Sequence, residues 1–137
     1  MNQNLANLAK IGKLKAEPFA KAEFFGLVTS AGKRLADAAN QSLSPESRFD
    51  LAYNASHAYA LAALRFHGYR SENRITVFQA LEHTVGMAAS QWRILSKCHD
   101  VRNLAEYEGH SEVDLRLLND LIKVAGELEL NVLALML

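Results

Sequence analysis

Apolar residues recur along the chain at steps of three and four, interrupted by short polar stretches, and this rhythm predicts a series of helices. The first long helix is expected over Pro18–Asn40, where Phe24, Leu27, Val28, Ala31 and Leu35 keep helical spacing and Glu17 with Pro18 suits a first turn. Gly26 and Gly32 each cost about 1 kcal/mol relative to alanine in an exposed helix interior, so they are expected to mark close packing or a local bend. After the polar connection Asn40–Ser44, Ser44 ahead of Pro45 and Glu46 signals a new helix: the hydroxyl can accept an orphaned backbone N–H, and proline has none to lose. This helix should run to about His67 and stop at Gly68, which can take the left-handed conformation. Its alanines, interleaved with Phe49, Tyr53, Tyr59, Leu61 and Leu64, make it apolar nearly all round, as a central helix should be.

Beyond a turn at Ser71–Arg74, the spacing of Ile75, Phe78, Leu81 and Val85 predicts another helix ending near Gly86. A further helix is expected from about Ala88 to Glu106, with Trp92, Leu95, Cys98 and Val101 on its inner side. The last begins near Ser111 and turns Val113, Leu117, Leu118, Leu121, Ile122, Ala125, Leu128 and Val132 inward, leaving Glu112, Arg116 and Asp120 as a solvated ladder. With no alternating strand pattern and no hairpin signal, the fold class is all-α. Short connections favour an antiparallel four- or five-helix bundle, a single domain over residues 1–137 with 1–16 as a loosely packed N-terminal segment.

A chain of 137 residues, half of them apolar, can bury a core without disulfides or metals. Its single cysteine, Cys98, has no partner for a disulfide or a zinc site, which suits a reducing compartment, and the cytoplasm is the expected location. Met1–Lys15 lacks the unbroken apolar run of an export signal or membrane span. The formal net charge of zero argues against nucleic-acid binding driven by a broad positive field. His67, His83 and His99 have no companions at metal-ligand spacing and Glu-x-x-His is absent, so no metal site is expected. Nor is there a P-loop, a GxGxxG or a GxSxG, and no cofactor is implied.

Two features exceed what packing requires. On the central helix Asp50, Asn54 and His57 recur at steps of four and three, a polar stripe that must be paired, wetted or exposed, because an isolated buried carboxylate or imidazole costs several kcal/mol. The stripe serves either as an internal hydrogen-bond network that fixes helix register or as the wall of a cleft. The second feature is VRNLAEYEGH, which concentrates Arg102, Asn103, Glu106, Tyr107, Glu108 and His110 at one helix end. Arg102 and Glu106, four apart, could simply pair on the surface for a few tenths of a kcal/mol.

The succession SPESRFDLAYNASHAYALAALRFHGYRSENR and, later, RNLAEYEG resembles HEPN proteins, helical bundles of prokaryotic toxin and defence systems, over roughly Ile11 to Leu128. Ribonucleases of that family use an arginine, usually followed by a polar residue, and a histidine after four to six intervening positions. Arg102 and Asn103 fit the opening of this motif; Tyr107 stands where the histidine is first expected, and His110 follows after seven intervening residues. The resemblance implies a homodimer with Arg102 in an interface cleft. It also implies binding of RNA or a nucleotide, with Arg102 and Tyr107 as the catalytic pair of a metal-independent ribonuclease. Asp50, Asn54, His57, Asn103 and His110 are the expected substrate contacts. Histidine and arginine suit such cleavage near neutral pH, the one taking the 2′-hydroxyl proton and the other stabilising phosphate charge; a tyrosine, with a reference pKa of about 10, is a poor base there. The alternative is a catalytically silent helical module that partners a nucleotidyltransferase. If the cleft exists, Asp50, Asn54 and His57 should approach Arg102 and Tyr107.

Overall fold

A computed structural model of the chain describes residues 3–108 and 113–137. The order is α1 (Gln3–Lys10), β1 (Lys15–Ala16), α2 (Lys21–Ala38), α3 (Pro45–Phe66), β2 (Tyr69–Arg70), α4 (Arg74–Gln79), α5 (Leu81–Thr84), α6 (Ala89–Glu108) and α7 (Leu115–Ala134). The fold is a mostly helical bundle in which α3 is the central element, packed against α2 and α7 and, more lightly, against α4, α5 and α6. Burial follows directly from its composition: Ala52, Tyr53, Ala55, Ala62, Ala63 and Leu64 are fully shielded, and the small alanines let neighbouring helices approach on several sides.

The ends of α3 are fixed as the sequence predicts. Ser44 Oγ accepts the backbone N–H of Ser47 at 3.1 Å and Pro45 opens the helix, while Gly68 terminates it at φ +87°. A Cβ at Gly32 would meet the Tyr59 hydroxyl at 3.5 Å, an ordinary van der Waals contact, so the crossing of α2 over α3 does not require glycine there. That hydroxyl donates to the Glu129 carboxylate of α7, and burial, ahead of the carboxylate itself, pushes the phenol's pKa upward. Gly26, by contrast, has open space around it and marks no close contact.

The all-α fold class holds, with the addition of one two-residue strand pair: Lys15–Ala16 pairs antiparallel with Tyr69–Arg70, with Lys15 opposite Arg70. Three expectations are corrected. Residues 1–16 are not loosely packed where described, because α1 inserts Leu5 and the following turn inserts Leu14 into the core, at 0% and 4% exposure. The first long helix starts at Lys21, not at Pro18, because residues 17 and 18 are held beside β2 by Arg65. The helix expected from Ile75 to Gly86 is instead two short ones, α4 and α5, meeting at Ala80 and closed by Gly86 at φ +67°.

Arg65 explains both corrections at the N-terminal end. It is 1% exposed, and its guanidinium donates to the carbonyls of Glu17 (2.8 Å) and Pro18 (2.6 Å) and to the Glu23 carboxylate (2.6 Å). Arg70 binds Glu17 at 2.7 Å and also reaches Glu23, so both carboxyls are held below their ordinary pKa, mainly by these hydrogen bonds. A buried cation whose donors are this well satisfied fastens residues 17–23 to the end of α3.

Candidate functional site

The polar stripe of α3 meets the C-terminal half of α6 and the start of α4. Tyr53, one helical turn from Asp50 and His57, is fully buried as a residue, and its ring is the platform on which the other groups assemble. The guanidinium carbons of Arg102 and Arg74 stand 5.3 Å and 5.4 Å from the Tyr53 ring centroid, within cation–π range. Phe78 packs edge-on to the same ring at 6.0 Å and to His57 at 6.1 Å. The helices thus deliver two cations to one aromatic surface from different parts of the sequence.

The Tyr53 hydroxyl lies 2.7 Å from His99 Nδ1, and His99 Nε2 lies 3.1 Å from Asn103 Nδ2, one turn further along α6. A neutral imidazole has one donor and one acceptor, so the two bonds run in series: with Asn103 donating to Nε2, Nδ1–H donates to the tyrosine oxygen, and an inverted amide reverses the direction. Tyr53, His99 and Asn103 therefore form a hydrogen-bonded chain beside the two arginines. His57 also packs edge-on to Phe78, and burial first, with Arg74 and His99 after it, lowers its pKa to about 4. It is neutral at physiological pH.

Of the residues singled out in the sequence, Asp50 approaches Arg102 at 3.8 Å, and its side chain remains 65% exposed against 27% for the arginine. Asn54 does not meet Arg102; its carbonyl oxygen accepts from Arg74 at 3.3 Å while its amide donates to the Asp50 backbone. Asn103 reaches the cluster through His99. Tyr107 continues α6, but its side chain lies outside the described residues, as does all of His110. Three members were missed: Tyr53 and His99 read as core or unassigned, and Arg74 as part of a turn. The available signal was spacing, since His99 precedes Arg102 and Asn103 by three and four residues and so shares their face of α6.

Elsewhere, Cys98 is buried and its thiol is pushed up to about 12 by desolvation, which suits packing and not nucleophilic chemistry. Among the described residues no group of three His, Cys, Asp or Glu side chains could hold a metal ion, and no helix is long and apolar enough to cross a membrane. Comparison of the chain with family models, curated proteins and solved structures finds no match.

Proposed function

We propose that the protein binds a phosphate-bearing ligand, RNA or a nucleotide, at the Tyr53 platform, with Arg74 and Arg102 as the phosphate contacts. The observation that carries this reading is the convergence of two guanidiniums within about 5.5 Å of one ring. Arginine forks match phosphate oxygens, and a ring that already orients both forks removes part of the entropy cost of binding. Reading a base by stacking needs an exposed aromatic face, whereas Tyr53 is buried, so affinity should come from phosphate and show little sequence preference.

Binding is better supported than cleavage. Both nitrogens of His99 are engaged, so it could take a 2′-hydroxyl proton only after releasing Asn103 or Tyr53, whichever its lone pair accepts from. The same occupancy favours the second reading, a catalytically silent module that partners a nucleotidyltransferase. Fluorescence anisotropy with a labelled oligoribonucleotide at low salt, in EDTA, tests the ligand. Arg74→Ala and Arg102→Ala should each weaken binding by about tenfold or more, and a double variant that binds like the wild type would reject the site. Cleavage is followed on the same RNA: equal, negligible turnover by wild type, Arg102→Ala and His99→Ala rejects a ribonuclease.

A further inference from the structure

The turn after α1 builds a second recess that shares no residue with the Tyr53 platform. Gly12, at φ +83°, reverses the chain so that the backbone N–H of Lys13 returns to the Leu8 carbonyl at 2.9 Å, and Leu14, 4% exposed, anchors the turn in the core. Lys13 is thereby set beside Leu8, with α4 and α5 completing the wall. Two adjoining cavities open here. The larger, about 510 Å³, is bordered by Lys13, Lys15, Ser71 and Asn73; the smaller, about 220 Å³, by Leu8, Ala80, His83 and Trp92; Lys13 and Thr76 belong to both.

The two cavities differ in chemistry. Lys13 and Lys15 make no hydrogen bond or ion pair among the described residues, whereas Arg70, opposite Lys15 in the strand pair, is taken by Glu17 and Glu23. Glu72 and Glu82 border the recess without pairing with either lysine. Like charges set opposite one another do not help a strand pair, so the fold itself has no use for Lys15 at this place. In the smaller cavity Leu8, Ala80 and the Trp92 ring supply an apolar side. The indole N–H of Trp92 is shielded from solvent and has no acceptor among the described residues, a costly state for a buried donor.

We propose that this recess binds a small aromatic acid, its ring seated on Leu8, Ala80 and Trp92 and its carboxylate held by Lys13 and Lys15. The smaller cavity, at about 220 Å³, lies below the roughly 300–1,000 Å³ that takes a drug-sized ligand, so a body of about one or two rings fits and a long acyl chain does not. A ring also gains more against an indole than an aliphatic group of the same area. Because Lys13 borders both cavities, one molecule can fill the apolar seat and still bring its charge to the lysines. An uncharged ring leaves the lysines unpaired, and an inorganic anion leaves the apolar seat unfilled. The acid's oxygen also offers the indole N–H an acceptor. The site stands independently of the ligand proposed for the Tyr53 platform.

Trp92 is the single tryptophan, so its indole N–H gives one cross-peak in a proton–nitrogen correlation spectrum of the full chain. Naphthoate should move that peak saturably, and Lys13→Glu and Lys15→Glu should each weaken binding by about tenfold or more. Both lysines are exposed, so the variants should keep the remaining spectrum unchanged. Lys10→Glu makes the same charge change at an exposed residue bordering neither cavity and should bind like the wild type. Naphthol, the ring without the charge, and octanoate, the charge without the ring, should each bind at least about tenfold more weakly than naphthoate. An indole peak unmoved by millimolar naphthoate, binding indifferent to Lys13→Glu combined with Lys15→Glu, or octanoate bound as tightly as naphthoate overturns the inference.

Discussion

Acidification should destabilise the protein through His57 ahead of Glu17 and Glu23. The ring is held neutral by burial against Phe78 with Arg74 and His99 nearby, which brings its pKa to about 4, whereas in the unfolded chain it returns to the ordinary 6.5. A group whose folded pKa is depressed in this way binds its proton in the unfolded state first, so stability is fully present above pH 6.5 and is lost as pH falls toward 4. At about 1.4 kcal/mol per pH unit the full span corresponds to about 3 kcal/mol, and residual solvent at a partly buried ring reduces the expected loss to about 2 kcal/mol. Glu17 and Glu23, whose folded pKa values are lowered, contribute chiefly as pH falls through their reference value of 4.5, so the window from 6.5 to 4.5 weights the imidazole over these two carboxyls. Urea unfolding across that window, wild type against His57→Gln, measures it, and subtracting the variant's curve removes what all other groups contribute. Parallel curves for the two proteins would refute the placement of a neutral, half-buried His57.

Arg65→Met should cost about 3 kcal/mol or more, because the carbonyls of Glu17 and Pro18 lose their donor and Glu23 keeps only Arg70; thermal unfolding reads the loss, and amide exchange should rise first in residues 5–17. Tyr53→Phe should cost about 1–3 kcal/mol by leaving His99 Nδ1 without its partner, and NMR should report a changed His99 tautomer; an unaltered imidazole spectrum would count against the Tyr53–His99–Asn103 chain. Cys98 should resist a thiol reagent at pH 8 in the native protein and react once denaturant is added, so rapid native labelling would contradict its burial.

The alternation of apolar and polar residues determined the long helices, the centrality of α3 and its ends at Ser44 and Gly68, because propensity, capping and amphipathic spacing act within a few turns of chain. The sequence also marked Asp50, Asn54, His57 and Arg102 as polar groups on otherwise packed helices. It could not say that Tyr53, forty-nine residues from Arg102, would be the surface joining them to Arg74 and His99, since a lone tyrosine in an apolar helix has the same pattern whether it fills the core or supports a site. Arg65 was hidden for the same reason: its partners at residues 17, 18 and 23 come from a segment whose extended path exists only because the arginine holds it. Local periodicity encodes which face of a helix turns inward, while the pairing of distant polar groups is decided by how those faces cross.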